Sequence, residues 1–361
     1  MRAFFQTNIS TIFIMLGHAC NLNCKYCLQH DVVNVAFGNE INPNVYHFII
    51  DIARNQNRKL FLQFYGGEPL VYFDKIKEFI NGLIESDVPN NVSFSMITNG
   101  KLIDEDKIDF LNKHFSNITI SWDGRSSVVT RGYNAFEENK DNIFKLNNFT
   151  ISGVISAYNY IEDYMIDCEQ LNKDYVENYG GKTICVNVDE LLDVNLQNPD
   201  LKQFDFDKVD EQIQNLCNEY YEFVINHKPI SVIRKRYIEG KLNQLKSAMI
   251  NKHYKPERDR CGNGFEVLNL DLQGKLYKCH NTDTKVGLIT DNYFDILYNV
   301  SQLDKVKETS VVCDECPVQI MCMNGCPLVE NDARKSFYCQ MAITMNYPIM
   351  KLLIAIGGEK S

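Results

Sequence analysis

The 361-residue chain predicts an α/β protein in which a row of β/α units leads into a cysteine-rich C-terminal region. Three observations carry this reading. Short apolar runs alternate with longer helical patterns through the first half. Polar or glycine-rich loops follow four of those runs. After Arg260 the pattern changes to turns and short strands, with seven cysteines between Cys261 and Cys339.

Strands are expected at TIFIML (11–16), LFLQF (60–64), VSFSMIT (92–98), NITIS (117–121), TISGVIS (150–156) and TICVNV (183–188). Helical patterns fill the gaps: NPNVYHFIIDIARNQ with Pro43 in its first turn, YFDKIKEFINGLIES, DEDKIDFLNKHF, AFEENKDNIFKLN and NYIEDYMIDCEQLNK. This alternation is the signature of a parallel sheet with crossover helices. Six units suit an open doubly wound sheet or a partial barrel, and periodicity does not choose between them. Both collect ligands at the carboxyl ends of strands. There lie the cysteine loop after strand one, GGEP after strand two, TNG after strand three and SWDG after strand four. Beyond residue 190 two helices, FDKVDEQIQNLCNEYYEFVINH and ISVIRKRYIEGKLNQLKSAMINKH, read as a bridge. The expected division is therefore 1–190, 191–257 and 258–361.

Composition narrows the function. With 45% hydrophobic and 23% charged residues, the whole chain should fold. A net charge of −10, without a basic stripe, argues against nucleic acid as a partner. The start, MRAFFQTNISTIFIML, has no uninterrupted apolar run of export or membrane-span length, so a cytoplasmic protein without a membrane partner is expected. In a reducing compartment thirteen cysteines point to metal or cluster ligation rather than disulfides. Cys168, Cys185 and Cys217 stand alone and are expected to be inert buried thiols.

The stretch GHACNLNCKYCLQH crowds Cys20, Cys24 and Cys27 into one loop. Structural zinc wants four ligands, so three thiolates describe a site with one position open. They can hold three irons of a four-iron, four-sulfur cluster and leave the fourth iron to an exogenous ligand. Asn21 and Asn23 suit a tight loop, and Tyr26 is placed to cover the cluster or its ligand. The plainer alternative is a zinc loop completed by His18 or His30.

Cys20, Cys24 and Cys27 after the first strand resemble the hallmark of the radical S-adenosylmethionine (SAM) superfamily. The resemblance implies a partial (β/α)6 TIM-type barrel whose cluster chelates SAM. It places Gly66, Gly67 and Glu68 of YGGEPL at the methionine amino group, and Ser121 and Asp123 of SWDG near the SAM carboxylate and ribose. Asn99 lies on the same rim, and Arg131 matches an arginine that grips the carboxylate. Taken alone, Gly66 and Gly67 read as a turn, Glu68 as a capping residue before Pro69, and Asp123–Gly124 as a hairpin-type turn.

Cys261, Gly274, Cys279, the run CDECPVQIMCMNGC and Cys339 resemble the seven-cysteine SPASM domain of peptide-modifying radical SAM enzymes. That resemblance implies two auxiliary four-iron clusters, three clusters in all. Cys313, Cys316, Cys322 and Cys339 would hold one, and Cys261, Cys279 and Cys326 the other, whose fourth position is either filled by Cys217 or Cys185 or left open to bind substrate. Two zinc knuckles, with His280 among the ligands, are the plainer alternative.

The implied activity is cleavage of SAM to a 5′-deoxyadenosyl radical and oxidation or crosslinking of a peptide or protein. The implied electron donor is a flavodoxin or ferredoxin. Sulfatase-maturating enzymes, which make formylglycine, share the layout, but carry an aspartate base after the cysteine matching Cys279, where this chain has His280. Histidine also serves as a base near neutral pH. Nineteen residues precede Cys20, too few for a winged-helix leader-binding domain, so a separate leader-binding protein or direct recognition is expected. Small-molecule or sugar dehydrogenation and a non-catalytic cluster or zinc protein are the competing readings.

Overall fold

The computed structural model describes residues 9–29, 40–192, 199–251, 265–302, 313–323, 325–326 and 328–358. Cys261 and His30 lie outside the described residues. Six parallel strands, β1 (Thr11–Met15), β2 (Leu60–Tyr65), β3 (Val92–Thr98), β4 (Phe115–Ser121), β5 (Phe149–Ile155) and β6 (Cys185–Glu190), pair in chain order. That stepwise order is the order of a partial barrel. A doubly wound sheet would reverse at a switch point, so pairing settles what periodicity left open.

Three more strands extend the same sheet: β7 (Val267–Asp271), β8 (Lys275–Tyr277) and β9 (Lys285–Leu288). β7 runs parallel to β1, with Phe13 opposite Asn269 and Met15 opposite Asp271, and β8 and β9 follow antiparallel. The C-terminal region is thus joined to the barrel through its first strand.

Crossover helices α1 (Pro43–Arg54), α2 (Phe73–Glu85) and α3 (Glu105–His114) fall where the apolar periodicity puts them. Asn42 caps α1 ahead of Pro43, and Asp104 caps α3 by accepting from the Lys107 N–H. Two short helices, α4 (Ser127–Arg131) and α5 (Ala135–Glu138), follow β4. The single helix expected over AFEENKDNIFKLN is broken into α5 and α6 (Lys140–Ile143). Asn139 makes the break, because its side-chain amide donates to the carbonyls of Gly100 and Ile103, each at 2.8 Å. Helix α7 (Ile161–Tyr179) crosses to β6.

The two bridge helices form as α8 (Phe206–Asn226) and α9 (Val232–Asn251), followed by α10 (Tyr293–Gln302), α11 (Gln319–Cys322), α12 (Asn331–Ala333) and α13 (Cys339–Gly358). The run Asn331–Gly358 is long and apolar enough to cross a bilayer, with mean hydropathy 1.3 over a stretch that is 44% buried here. Met341, Met345 and Ile349 of α13 lie in the main core, which makes it a core helix of this fold.

Strand alternation sorts the side chains. Ile12, Ile14, Leu62, Phe64, Met96, Ile118, Ile120 and Ile151 are buried on the helix side. There Phe64 meets Phe79 of α2 edge-on, with centroids 5.7 Å apart. Removing a ring of that size from water contributes about 2–3 kcal/mol. The opposite face adds polar groups to apolar ones such as Phe13 and Val154: Gln63 and Ser95 pair across β2 and β3, and Ser152 lies opposite Asn187 across β5 and β6. A closed eight-stranded barrel fills its interior with branched apolar side chains. This interior carries hydrogen-bonding groups as well.

Candidate active site

The cysteine loop leaves β1 along the GGEP turn. Gly67 N–H donates to the Gly17 carbonyl at 3.0 Å, Glu68 N–H to the Ala19 carbonyl at 2.9 Å, and Ala19 N–H to the Tyr72 hydroxyl at 2.9 Å. A Cβ on Gly66 would lie 2.2 Å from the Gly17 oxygen, and one on Gly67 2.3 Å from the Ala19 oxygen. Both positions need glycine because two backbones touch there. Downstream, Lys25 N–H donates to Thr130 O at 2.8 Å and Cys27 N–H to Cys24 O at 3.1 Å.

The three thiols of this loop feel one another. Burial pushes Cys20 up, with the Glu68 and Cys27 charges adding to it. Burial takes Cys24 to about 11, opposed by Arg131 and reinforced by Cys27 and Cys20. Among the described residues no three such side chains meet around a point that would take one metal ion.

Glu68 is 1% exposed. Its Oε1 accepts from Leu70 N–H at 3.0 Å and Thr98 Oγ1 at 2.7 Å, and its Oε2 from Asn99 N–H at 2.8 Å. The capping role expected of an isolated glutamate is therefore real. Among the described residues no basic side chain pairs with it, and burial raises its pKa. A buried carboxylate with spare acceptor capacity beside the cysteine loop fits an incoming ammonium. Asn99 Nδ2 donates to Asn21 Oδ1 at 2.8 Å, tying the TNG loop to the cysteine loop.

Asp123 is fully buried, and five hydrogen bonds satisfy its carboxylate. The donors are Thr130 Oγ1 at 2.6 Å, Arg131 Nε at 3.1 Å, Arg131 Nη2 at 3.0 Å, Val154 N–H at 2.9 Å and the Tyr26 hydroxyl. The Arg131 guanidinium lies 5.2 Å from the Tyr26 ring centroid. The SWDG aspartate thus binds the cysteine loop, α4 and β5 together. Ser121, on the same strand end, faces the barrel interior, as its alternation with buried Ile120 requires.

His280 stands inside the barrel, stacked on Phe13 at 4.1 Å and edge-on to Tyr65 at 4.3 Å between centroids. Its Nδ1 is 3.2 Å from Asn269 Oδ1. Asn269 Nδ2 points at the carbonyls of Tyr277 and Lys278, both 3.4 Å away, so Oδ1 is the acceptor toward histidine. Nδ1 then carries the proton and Nε2 presents a lone pair. Burial lowers the His280 pKa to about 4, which keeps the ring neutral at pH 7. Gln29 donates to the His280 carbonyl at 3.1 Å, joining the cysteine loop to this segment.

Tyr65 donates to Asn281 Oδ1 at 3.2 Å. Burial raises its pKa, and the charges of Cys279, Cys27 and Asp189 push it further. Sequence reasoning passed over Tyr65, Asn269, Gln29 and Asp189. The signal that could have found three of them is the alternation of polar with apolar residues in LFLQFY, VLNLD and CVNVDE.

Among the C-terminal cysteines, Cys322 packs beside buried Cys326, Val329 and Tyr338 in a small cluster of its own. Cys313 and Cys316 share one turn, with Cys316 N–H donating to Cys313 O at 3.2 Å, and Cys339 opens α13. Cys279 is buried at the end of the β8 hairpin. Of the isolated cysteines, Cys168 and Cys217 are buried as expected. Cys185 is exposed at the start of β6, with Arg236 Nη1 of α9 3.9 Å from its sulfur.

Residues 14–164 match the Radical SAM superfamily, so the chain carries a radical SAM domain. It is 24% identical over 351 residues to a cysteine-type anaerobic sulfatase-maturating enzyme of Clostridium novyi, covering 89% of this chain and 90% of that protein. It is also 23% identical over 307 residues to the radical SAM cyclopropyl synthase TigE of Paramaledivibacter caminithermalis, spanning 60% of that protein's length. The fold is that of anSMEcpe solved with bound AdoMet and Cp18Cys peptide, with a TM-score of 0.64, 20% identity and coverage of 97% of this chain and 99% of that one. The same protein with AdoMet alone gives a TM-score of 0.60 at 20% identity, covering 97% and 99%.

Proposed function

We propose that this chain is a radical SAM oxidoreductase that oxidises or crosslinks a peptide or protein side chain. The observation that carries it is the cysteine loop hydrogen-bonded along the GGEP turn and to Asn99, which sets Cys20, Cys24 and Cys27 beside the buried Glu68 carboxylate at the carboxyl-end rim of the sheet. Cys20, Cys24 and Cys27 would hold a four-iron cluster, and with SAM bound that cluster would supply 5′-deoxyadenosyl radical chemistry. Glu68 takes the SAM ammonium, Ser121 and Asn99 take its polar groups, and Gly66 and Gly67 let it approach the backbone. Asp123 and Arg131 hold Tyr26 against it. The chain's own contribution is then to fix the reacting atoms and keep water out.

His280 Nε2, neutral and pointed by Asn269, accepts the proton that a net oxidation releases. Cys279 and Cys326, with Cys261, and Cys313, Cys316, Cys322 and Cys339 would hold two auxiliary clusters, which would supply redox capacity for a net oxidation. An outside flavodoxin or ferredoxin delivers the first electron, and a separate leader-binding protein assists where the peptide has a leader.

A second reading, formylglycine formation on a sulfatase, draws support from the two-sided coverage of the Clostridium novyi relative and from the peptide bound to anSMEcpe. The difference is His280, where that activity is associated with aspartate. The test is anaerobic iron and sulfide content together with 5′-deoxyadenosine release, for the wild type and a Cys20, Cys24, Cys27 triple Ala variant. Three full clusters correspond to about twelve irons, falling to about eight in the variant with loss of deoxyadenosine. Zinc in place of iron, or unchanged release, overturns the proposal.

A further inference from the structure

On the inward faces of β1 to β6 one side chain carries a formal charge, Asp189. Its register fixes the direction: Asp189 pairs with Val154, and the neighbouring Gly153 sits on the other face, where a Cβ would meet the Tyr164 ring of α7. Ser152, also inward, donates its hydroxyl to Asp189 Oδ2 at 2.6 Å. Among the described residues Ser152 is the hydrogen-bond donor to this carboxylate, and no basic side chain bridges to it. Asp189 is the next-to-last residue of β6, so it stands at the carboxyl-end rim that also carries the cysteine loop. Tyr65, across the chamber on β2, senses Asp189 together with Cys27 and Cys279.

A carboxylate with one neutral donor is stable while water completes its shell. A substrate that fills the chamber strips that water, and an unpaired charge left behind costs several kcal/mol. The cost is cancelled when the substrate brings the opposite charge. We propose that Asp189 selects the substrate: it receives a lysine or arginine side chain carried by the modified peptide next to its reacting residue, and it turns acidic neighbours away. This rests on the peptide reading above.

The test uses the full chain, reconstituted with iron and sulfide and immobilised anaerobically with SAM. The probe is a synthetic peptide pool with a central cysteine and randomised flanks. Retained peptides are sequenced for wild type, Asp189→Asn and Asp189→Glu, and SAM affinity is measured without peptide. Wild type and Asp189→Glu should enrich Lys or Arg at one flanking position. Asp189→Asn should lose about tenfold of that enrichment, as expected for one charge-assisted contact, with SAM affinity unchanged. Equal enrichment in wild type and Asp189→Asn overturns the assignment. So does a fall in SAM affinity with peptide selection intact, which would make SAM the cation that Asp189 meets. If the wild type retains no peptide of any composition, the peptide reading itself fails and this inference falls with it.

Discussion

Asp123 and Arg131 form a buried two-point ion pair, Nη2 to Oδ1 at 3.0 Å and Nε to Oδ2 at 3.1 Å. A buried pair of this kind is costly to break from one side. Asp123→Asn, which strands the guanidinium, should cost about 3–5 kcal/mol in denaturant unfolding, and Arg131→Met a comparable amount. The double variant should lose clearly less than the sum, because neither charge is then left alone. An additive double variant would mean the two side chains act separately.

Gly67 and Gly240 give a matched contrast. A Cβ at Gly67 would strike the Ala19 oxygen at 2.3 Å, while one at Gly240, inside α9, meets nothing within 4 Å. Gly67→Ala should displace the cysteine loop and lower iron incorporation. Gly240→Ala should stabilise the chain by about 0.5–1 kcal/mol through helix propensity. Thermal unfolding and iron content of the two proteins measured side by side check both.

Alkylation should separate the isolated thiols. Burial pushes Cys217 up to about 12 and Cys168 higher still, whereas Cys185 is exposed. Iodoacetamide at pH 8 under native conditions should modify Cys185 and spare the other two, read by peptide mass mapping. Labelling of Cys217 at the rate of Cys185 would show that the seam between α8 and α13 opens.

His280→Gln removes the Nε2 lone pair. If that atom accepts a proton in the reaction, product formation should fall by about 10²- to 10⁴-fold. Deoxyadenosine release without substrate should be unchanged. A variant that loses both equally would place His280 in the framework, alongside Phe13 and Tyr65, and outside the chemistry.

The strands and long helices were legible in the sequence because each carries one period and one buried face. TIFIML and LFLQF differ from their observed strands by one terminal residue. The cysteine loop and its neighbours on the rim were legible as motifs. What local pattern could not reveal is pairing at a distance. Nothing in VLNLD announces that it runs beside TIFIM, or that Asn269 orients a histidine eleven residues on. Asp123 read as a ligand or a turn, and its actual partners come from three separate segments brought together by the barrel. The single helix expected over AFEENKDNIFKLN is broken into α5 and α6 because Asn139 finds acceptors in the loop after β3.

The pairing of β1 with β7 has a consequence for how the chain is made. The strand that carries the cysteine loop leaves the ribosome long before one of its two neighbours, residues 267–271. Until that segment emerges, β1 presents a bare edge along its whole length, and an unpaired edge is prone to the wrong partner. The sheet therefore closes late and over a long loop, which slows folding. Nascent chains stalled before residue 267 should be protease-sensitive, and truncated versions without β7 should aggregate rather than yield a smaller working barrel.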